Sequence, residues 1–476
     1  MTRFHYLDLT ELATLIRTRE LSPVAITEAQ LERIAALDKT LRSYAYVMAD
    51  EALEQARVAE AQIVAGKYRG PLHGIPIGIK DLCWTQGIPT AAGMQIYRNF
   101  RPAQDATVVM RLKRAGAVIL GKLQMTEGAY SDYHPTVCAP RNPWNSHYWT
   151  GISSSGPAVA VAAGLCFGAI ASDTGGSIRW PCSANNLTGL KPTWGRVSRF
   201  GVFELAASQD HVGPIARTAR DAGAILQVIA GADERDATAL PVPVPNYLDV
   251  RRADLRGLRI GVDPAWNGDH VDGAVHAVLS NVSEVLVELG AELVELRIPD
   301  VRQTVADWAP ACAIEAAVAH KATYPSRRAE YGPILAAVLE HGHQLNALDY
   351  QEILLRRMVV KGQFEQLLQT VDLLLTPVQP FAPLTLTAVR TLVEQPELIV
   401  RLQRYTAPFD MTGHPTITVP GGFDPGGVPI GFQLVAAHLH ETELITTAAV
   451  FQRETAWHRR HPDVLPMPAL PEKMPS

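Results

Sequence analysis

Several features that mark particular protein classes are missing from this chain. Cysteine is scarce: the five residues among 476 are widely spread, and none forms a C-x-x-C pair. This spacing favours neither a disulfide framework nor a zinc site, so we expect a reducing compartment, a cytoplasmic location and no metal. A run of about 18 apolar residues is absent, as is the apolar core of a signal peptide. The sequence therefore predicts no association with a membrane.

An excess of charge of one sign is also missing. The chain has 43 basic and 48 acidic residues, and its formal net charge is −5. This balance gives no support for nucleic acid or an anionic lipid surface as a partner. The hydrophobic fraction of 47% and the charged fraction of 19% are typical of a globular protein. We therefore expect the partner to be a small molecule.

Helical and strand patterns alternate along the chain. Residues 1–66 are predicted to be helical, and a strand is predicted where Ile75, Ile77 and Ile79 alternate. A helix, a glycine stop and a strand follow one another in residues 105–122, and further strands are predicted in LRIGVD, AELVELRI, DLLLTP and PIGFQLVAA. This alternation predicts an α/β fold, a single large domain whose mixed β-sheet core is covered by helices on both faces.

The stretch IASDTGGSIRWP, residues 170–181, places a serine directly after two glycines. Taken alone, such a serine is more typical of a turn. A nucleophilic serine beside bare backbone N–H groups would need the same residues, together with a base elsewhere in the chain. A G-x-S-x-G elbow does not surround Ser177, and the sequence does not single out one of the fifteen histidines as the base. A lysine base is the known alternative.

Three blocks of the sequence resemble the amidase signature family, whose enzymes use a Ser–cis-Ser–Lys triad. They are PLHGIPIGIKD at 71–81, NPWNSHYWTGISSSGPAVAVAAG at 142–164 and SDTGGSIRWPCSANNLTGLKPTWGR at 172–196. The resemblance implies that Ser177 is the nucleophile, that Lys80 is the general base and acid, and that Ser153, after a cis peptide bond, carries the proton between them.

The proposed base must be neutral to accept a proton. A free lysine has a pKa of about 10.4 and is almost fully protonated at neutral pH. We expect burial among Ile75, Ile77 and Ile79 to lower the pKa of Lys80 toward the range of about 7–8 that suits a general base.

The glycines beside the serine are expected to help form an oxyanion hole. The successive backbone N–H groups of Thr174, Gly175, Gly176 and Ser177 are predicted to form the oxyanion hole. Side chains at the two glycine positions would obstruct the substrate carbonyl. Asp173 and Arg179 are interpreted as structural residues that hold this loop by charge-assisted hydrogen bonds.

Four residues are candidates for substrate binding. The resemblance of GKLQMTEGAYSD to the family's second lysine strand places Ala129 and Tyr130 in the substrate channel. Ile152 stands where the family has a glycine, and its bulk would narrow the acyl pocket. Trp180 could line the pocket or pack in the core, and the sequence does not decide between the two. With Tyr130, it indicates an aromatic or bulky apolar substrate.

The resemblance implies one amidase domain over residues 1–476, in three parts: an N-terminal helical part at 1–66, a core carrying the triad at 71–215, and the remaining sheet, helices and a C-terminal tail at 216–476. The predicted activity is hydrolysis of the C–N bond of linear carboxamides through a serine acyl-enzyme, with esters and carbamates as further candidates. No cofactor or metal is implied, and a homodimer is the expected assembly.

Two alternatives remain open. Residues 195–214 resemble the glutaminase (A) subunit of tRNA-dependent amidotransferases, and Arg357 matches an arginine that binds the substrate carboxylate there. Against this, that subgroup tends to carry glutamine where this chain has Trp180. The second alternative is a catalytically silent binding protein on the same fold. It is supported by departures from the family's serine loop at 152, 155 and 157, and opposed by the intact triad.

Overall fold

The computed structural model describes residues 4–464, so residues 465–476 of the predicted C-terminal tail lie outside it. The described residues contain one sheet of eleven strands in the order β1-β3-β2-β4-β6-β5-β10-β11-β9-β7-β8. The strands are β1 Tyr44–Val47, β2 Pro76–Lys80, β3 Val118–Leu123, β4 Gly168–Asp173, β5 Thr188–Lys191, β6 His211–Ala216, β7 Arg259–Val262, β8 Glu292–Glu295, β9 Leu373–Pro377, β10 Thr416–Phe423 and β11 Pro429–Ala436.

Helices precede, separate and follow these strands. They are α1 Leu9–Arg17, α2 Pro23–Leu41, α3 Ala49–Val64, α4 Thr107–Ala115, α5 Ser155–Ala162, α6 Arg179–Asn185, α7 Ala219–Ile229, α8 Pro264–Gly268, α9 Gly273–Glu288, α10 Arg302–Ala319, α11 Pro333–Gln344, α12 Ala347–Leu367, α13 Leu386–Glu394, α14 Pro396–Gln403, α15 Ala407–Met411 and α16 Glu441–Glu454.

The sheet is mixed and has apolar packing on both faces. Strand β2 is parallel to β3 and β4, whereas β4 is antiparallel to β6, and β10 is antiparallel to β11. Ile119 and Ile170 belong to one buried cluster, while their strand neighbours Leu120, Ala169 and Ala171 belong to another. Because successive strand residues point to opposite faces, the two clusters cover the two sides. The predicted α/β fold with a mixed sheet is confirmed.

The prediction of an entirely helical N-terminal part is wrong in one place. Residues Tyr44–Val47 form β1, which pairs antiparallel with β3 at the edge of the sheet. The Asp38 carboxylate accepts the N–H groups of Ser43 and Tyr44 and so turns the chain out of α2. The sequence YAYV, rich in aromatic and β-branched residues, then suits a pleated surface better than a helix. The division into three parts within one domain stays a prediction.

The neighbouring strands β2 and β4 determine where the candidate site lies. They run parallel, with Gly78 opposite Ala169 and Ile79 opposite Ile170. Their C-terminal ends, at Lys80 and Asp173, therefore lie at the same end of the parallel strands. Loops at this end of an α/β sheet commonly carry functional residues. No helix within residues 4–464 has the length and apolarity needed to cross a membrane.

Candidate active site

Lys80 ends strand β2 and is completely buried. Its Nζ donates hydrogen bonds to three serine hydroxyls: Ser153 Oγ at 2.7 Å, Ser154 Oγ at 2.9 Å and Ser172 Oγ at 2.9 Å. Burial lowers the pKa of Lys80 to about 7, although the nearby carboxylate of Asp173 acts in the opposite direction. A substantial fraction of this amine is therefore neutral at physiological pH. The neutral amine keeps two N–H donors, and its lone pair can accept the hydroxyl proton of one of these serines.

The groups in contact with this amine differ from those predicted. Ile75, Ile77 and Ile79 belong to one apolar cluster of the sheet. Lys80 lies next to Ile79 in the strand, so its side chain points to the opposite face, toward the serines before α5 and at the end of β4. The pKa changes in the expected direction, and the amine lies among serine hydroxyls on the face opposite to the three isoleucines.

The two remaining residues of the predicted triad lie in different loops, one before α5 and one after β4. Ser153 precedes α5, and the peptide bond between Ile152 and Ser153 is cis, as the resemblance implies. Ser177 follows β4 and is 8% exposed. The hydrogen bonds among residues 4–464 join Lys80 to Ser153 but do not join Ser153 to Ser177. The structure thus contains the first link of the predicted relay, and the second stays a prediction.

Buried charges hold the loop that carries Ser177. The Asp173 carboxylate accepts the N–H of Gly176 at 2.6 Å, the N–H of Ile178 at 2.9 Å and Nε of Arg179 at 2.9 Å. Arg179 also forms an ion pair with Asp410. Burial alone would raise the pKa of Asp173, but the Arg179 guanidinium holds it below its usual range. The predicted structural role of Asp173 and Arg179 is confirmed by these contacts.

Replacing this carboxylate should destabilise the whole protein. We expect Asp173→Asn to lower the free energy of unfolding by about 3 kcal/mol, because it leaves a buried guanidinium with less compensating charge. Urea unfolding at pH 7 measures the change. Asp300→Asn is the matched control, since Asp300 pairs with Arg302 at the exposed surface, where such a pair contributes below about 1 kcal/mol. Equal effects of the two substitutions would contradict a structural role for Asp173.

The backbone donors of the loop are not all available. Because the Gly176 N–H donates to Asp173, that donor is already engaged. The N–H groups of Thr174, Gly175 and Ser177 have no acceptor among the described residues. All three are among the donors predicted for the oxyanion hole.

The two glycines accommodate tryptophan side chains. A Cβ at Gly175 would lie 2.5 Å from the Trp308 ring, and a Cβ at Gly176 would lie 2.6 Å from the Trp180 ring. Gly176 also has a φ of +136°, a conformation unfavourable for other residues. Trp308 further donates its Nε1–H to the Thr174 carbonyl at 2.7 Å. Packing against indole rings therefore requires glycine here, a reason the sequence did not indicate.

An alanine at Gly176 should disturb the loop. We expect Gly176→Ala to lower amide hydrolysis at least ~10-fold and stability by about 2 kcal/mol, because the methyl group meets a ring in an unfavourable backbone conformation. Initial rates and urea unfolding measure both effects. Gly362→Ala is the control: a Cβ there contacts nothing within 4 Å, so alanine should stabilise α12 by up to about 1 kcal/mol. Unchanged activity in Gly176→Ala would argue against the packing constraint.

Ser177 lines a cavity of about 350 Å³. All four predicted substrate-binding residues line it: Ala129, Tyr130, Ile152 and Trp180. Trp180 is only 4% exposed, and its ring centroid lies 6.1 Å from that of Trp149. It therefore both packs in the interior and forms cavity wall, so its position agrees with both interpretations that the sequence left open.

Other parts of the wall were not predicted. Trp308 comes from α10, and Val389, Leu392 and Gln403 come from α13 and α14. The apolar spacing of these helices was the only available signal, and it does not tell which strand or loop a helix covers.

Arg357, which the glutaminase alternative needs at the substrate carboxylate, lies elsewhere. Its Nη1 donates to Ser208 Oγ at 2.6 Å, and its Nε donates to the Met411 carbonyl. It lines a separate cavity of about 770 Å³ and is not among the residues lining the Ser177 cavity. Within the described part of the chain, no group of three His, Cys, Asp or Glu side chains is arranged to hold a metal ion.

Comparison with known proteins identifies the family. The model of the family described as amidase matches residues 25–445. The chain belongs to the amidase family. It is 49% identical over 462 residues to the Mycobacterium tuberculosis protein named "Putative amidase AmiD", covering 96% of each chain. The predicted hydrolase of carbon–nitrogen bonds is thus confirmed at the level of the family.

More distant relatives of this amidase are named for different functions. The A subunit of the glutamyl-tRNA(Gln) amidotransferase of Chloroflexus aggregans is 36% identical over 489 residues, covering 98% of this chain and 99% of that protein. A bacterial aryl acylamidase of the amidase signature family has a similar structure, with a TM-score of 0.85, 26% identity, and coverage of 96% of this chain and 97% of that one. The fold is therefore shared across several activities.

Proposed function

We propose that this amidase hydrolyses linear carboxamides through an acyl-enzyme on Ser177. The observation that carries the proposal is the buried Lys80 amine in hydrogen-bond contact with Ser153. This amine lies at the C-terminal ends of β2 and β4, where the Ser177 loop begins. A lysine whose pKa is lowered to about 7 is suited to act as both base and acid at neutral pH.

The reaction needs no proton donor or acceptor besides these side chains, the substrate and water. Ser177 Oγ attacks the carbonyl carbon while its proton passes through Ser153 to neutral Lys80. The N–H groups of Thr174, Gly175 and Ser177 stabilise the oxyanion. As the C–N bond breaks, Lys80 returns the proton through Ser153 to the leaving amine. Water then attacks the acyl carbon, its proton follows the same path, and Ser177 leaves with that proton as the carboxylic acid is released.

The glutaminase is the less favoured alternative. Relatives bear the name of that amidotransferase, but Arg357 does not line the Ser177 cavity and Trp180 occupies part of its wall. We therefore propose a small-molecule amidase that acts without a tRNA-dependent complex. The cytoplasmic location and the homodimer stay predictions.

The acyl-enzyme can be tested by trapping. The purified chain is incubated with neutral primary amides and hydroxylamine, which competes with water for an acyl-enzyme. We expect ammonia release and hydroxamate formation, both lost in Ser177→Ala. Glutamine is included as the substrate of the alternative. Glutamine hydrolysis in preference to every neutral amide would favour the glutaminase, and release of ammonia that survives Ser177→Ala would overturn the mechanism.

A further inference from the structure

The described wall of the Ser177 cavity consists of uncharged side chains. Among the described residues that form it, none is Asp, Glu, Lys, Arg or His. An isolated charge placed in such surroundings loses its hydration and gains no partner, which is strongly unfavourable. We therefore expect the cavity to bind a substrate with an apolar body, the part beyond the reacting amide. A carboxylate or an ammonium group on that body should exclude the substrate.

The apolar wall has an aromatic side and an aliphatic side. The rings of Tyr130 and Trp308 lie nearly parallel, with an interplanar angle of 11° and centroids 6.3 Å apart. Helices α13 and α14 supply aliphatic side chains, among them Val389, Leu392 and Ile399. The cavity of about 350 Å³ falls within the range of about 300–1,000 Å³ typical of small-molecule sites.

Several polar side chains in this wall have no hydrogen-bond partner among the described residues, among them Trp180, whose Nε1 is buried, and Gln403. Gln403, at the end of α14, is 6% exposed, and its side-chain amide forms no hydrogen bond with any of them. Its backbone carbonyl accepts the N–H of Thr406 at 3.0 Å, and Thr406 Oγ1 donates to the Gly175 carbonyl at 2.7 Å. Gln403 is thus connected through one residue to the loop that carries Ser177. Polar groups that a bound ligand covers are normally hydrogen-bonded, so a substrate in this cavity can supply the partner of the Gln403 amide.

We propose that the substrates are uncharged, mainly apolar carboxamides, and that Gln403 binds one neutral hydrogen-bonding group on the substrate body. This inference rests on the proposed function, since it assigns the substrate class of the same serine site. Gln403 is a specificity residue in this account and takes no part in proton transfer.

The exclusion of charge is tested with matched primary amides. Hexanamide and phenylacetamide are compared with adipic monoamide and 4-carboxyphenylacetamide, which carry one added carboxylate. We expect kcat/KM for each neutral amide to exceed that of its charged partner at least ~100-fold. Ser177-dependent hydrolysis of the charged amides at comparable rates would overturn the substrate class but leave the mechanism standing. Absence of any Ser177-dependent hydrolysis would overturn both.

The role of Gln403 is tested with 6-hydroxyhexanamide and 6-aminohexanamide. In Gln403→Leu, the ratio of kcat/KM for 6-hydroxyhexanamide over hexanamide should fall about 5-fold, the effect of one lost hydrogen bond. In Gln403→Glu, 6-aminohexanamide should gain relative to hexanamide at least ~10-fold, because the wall then holds a carboxylate. The control Gln366→Leu, at an exposed position of α12, should change neither ratio. Unchanged ratios in both Gln403 variants would overturn its assignment.

Discussion

Ser177→Ala is expected to lower kcat for amide hydrolysis by about 10⁴-fold or more, the scale seen when a catalytic serine is removed from a hydrolase. The reason is that Ser177 is the proposed nucleophile and lines the cavity beside the unengaged N–H groups of Thr174 and Gly175. Ammonia release under saturating amide measures the loss. The urea unfolding curve should stay within about 1 kcal/mol of the wild type, because one small hydroxyl is removed.

Its control is a serine outside the site. Ser280 lies exposed on α9, and Ser280→Ala should leave both kcat and stability unchanged. A Ser177→Ala variant that is folded and retains a tenth of wild-type activity would show that another group attacks the amide.

Lys80→Met is expected to lower kcat/KM by at least ~10³-fold and to remove the pH dependence that Lys80 causes. Since burial lowers the pKa of Lys80 to about 7, the amine is protonated below that pH and cannot accept a proton. Wild-type kcat/KM should therefore rise with pH up to about 7 and level off above it. A pH–rate profile from about 5 to about 9 measures the midpoint.

A second buried lysine provides the control for this profile. Burial also lowers the pKa of Lys191 to about 7, but its Nζ donates to the His414 carbonyl at 2.6 Å rather than to a serine. Lys191→Met should therefore keep the midpoint of the wild type even if it unfolds more easily. A midpoint that moves in Lys191→Met but persists in Lys80→Met would show that Lys191, and not Lys80, causes the pH dependence.

The local parts of the site were predictable because they lie in short, continuous segments. The strand before Lys80, the helix after Ser153 and the glycines before Ser177 each have a pattern that can be recognised within about twenty residues. The α/β alternation likewise predicted β2, β3, β4 and the helices between them. What these patterns specify is local conformation, and the family resemblance supplied the chemistry.

Contacts between distant segments could not be predicted in the same way. Trp308 and Gln403 reach the site from more than a hundred residues beyond Ser177, through packing of α10 and α14 that no spacing in the sequence encodes. The pairing of Arg179 with Asp410 is likewise a tertiary contact. The edge strand β1 was missed because four residues between two helices are too few for a period to be recognised.

Covalent labelling with a fluorophosphonate measures directly whether Lys80 activates Ser177. Intact mass is followed over time at about pH 8, where Lys80 is mainly neutral, for wild type, Ser177→Ala and Lys80→Met, each checked for cooperative unfolding. We predict one adduct on the wild type, none on Ser177→Ala, and labelling at least ~100-fold slower in Lys80→Met. An adduct that persists in Ser177→Ala, or a Lys80→Met variant labelled at the wild-type rate, would contradict the account.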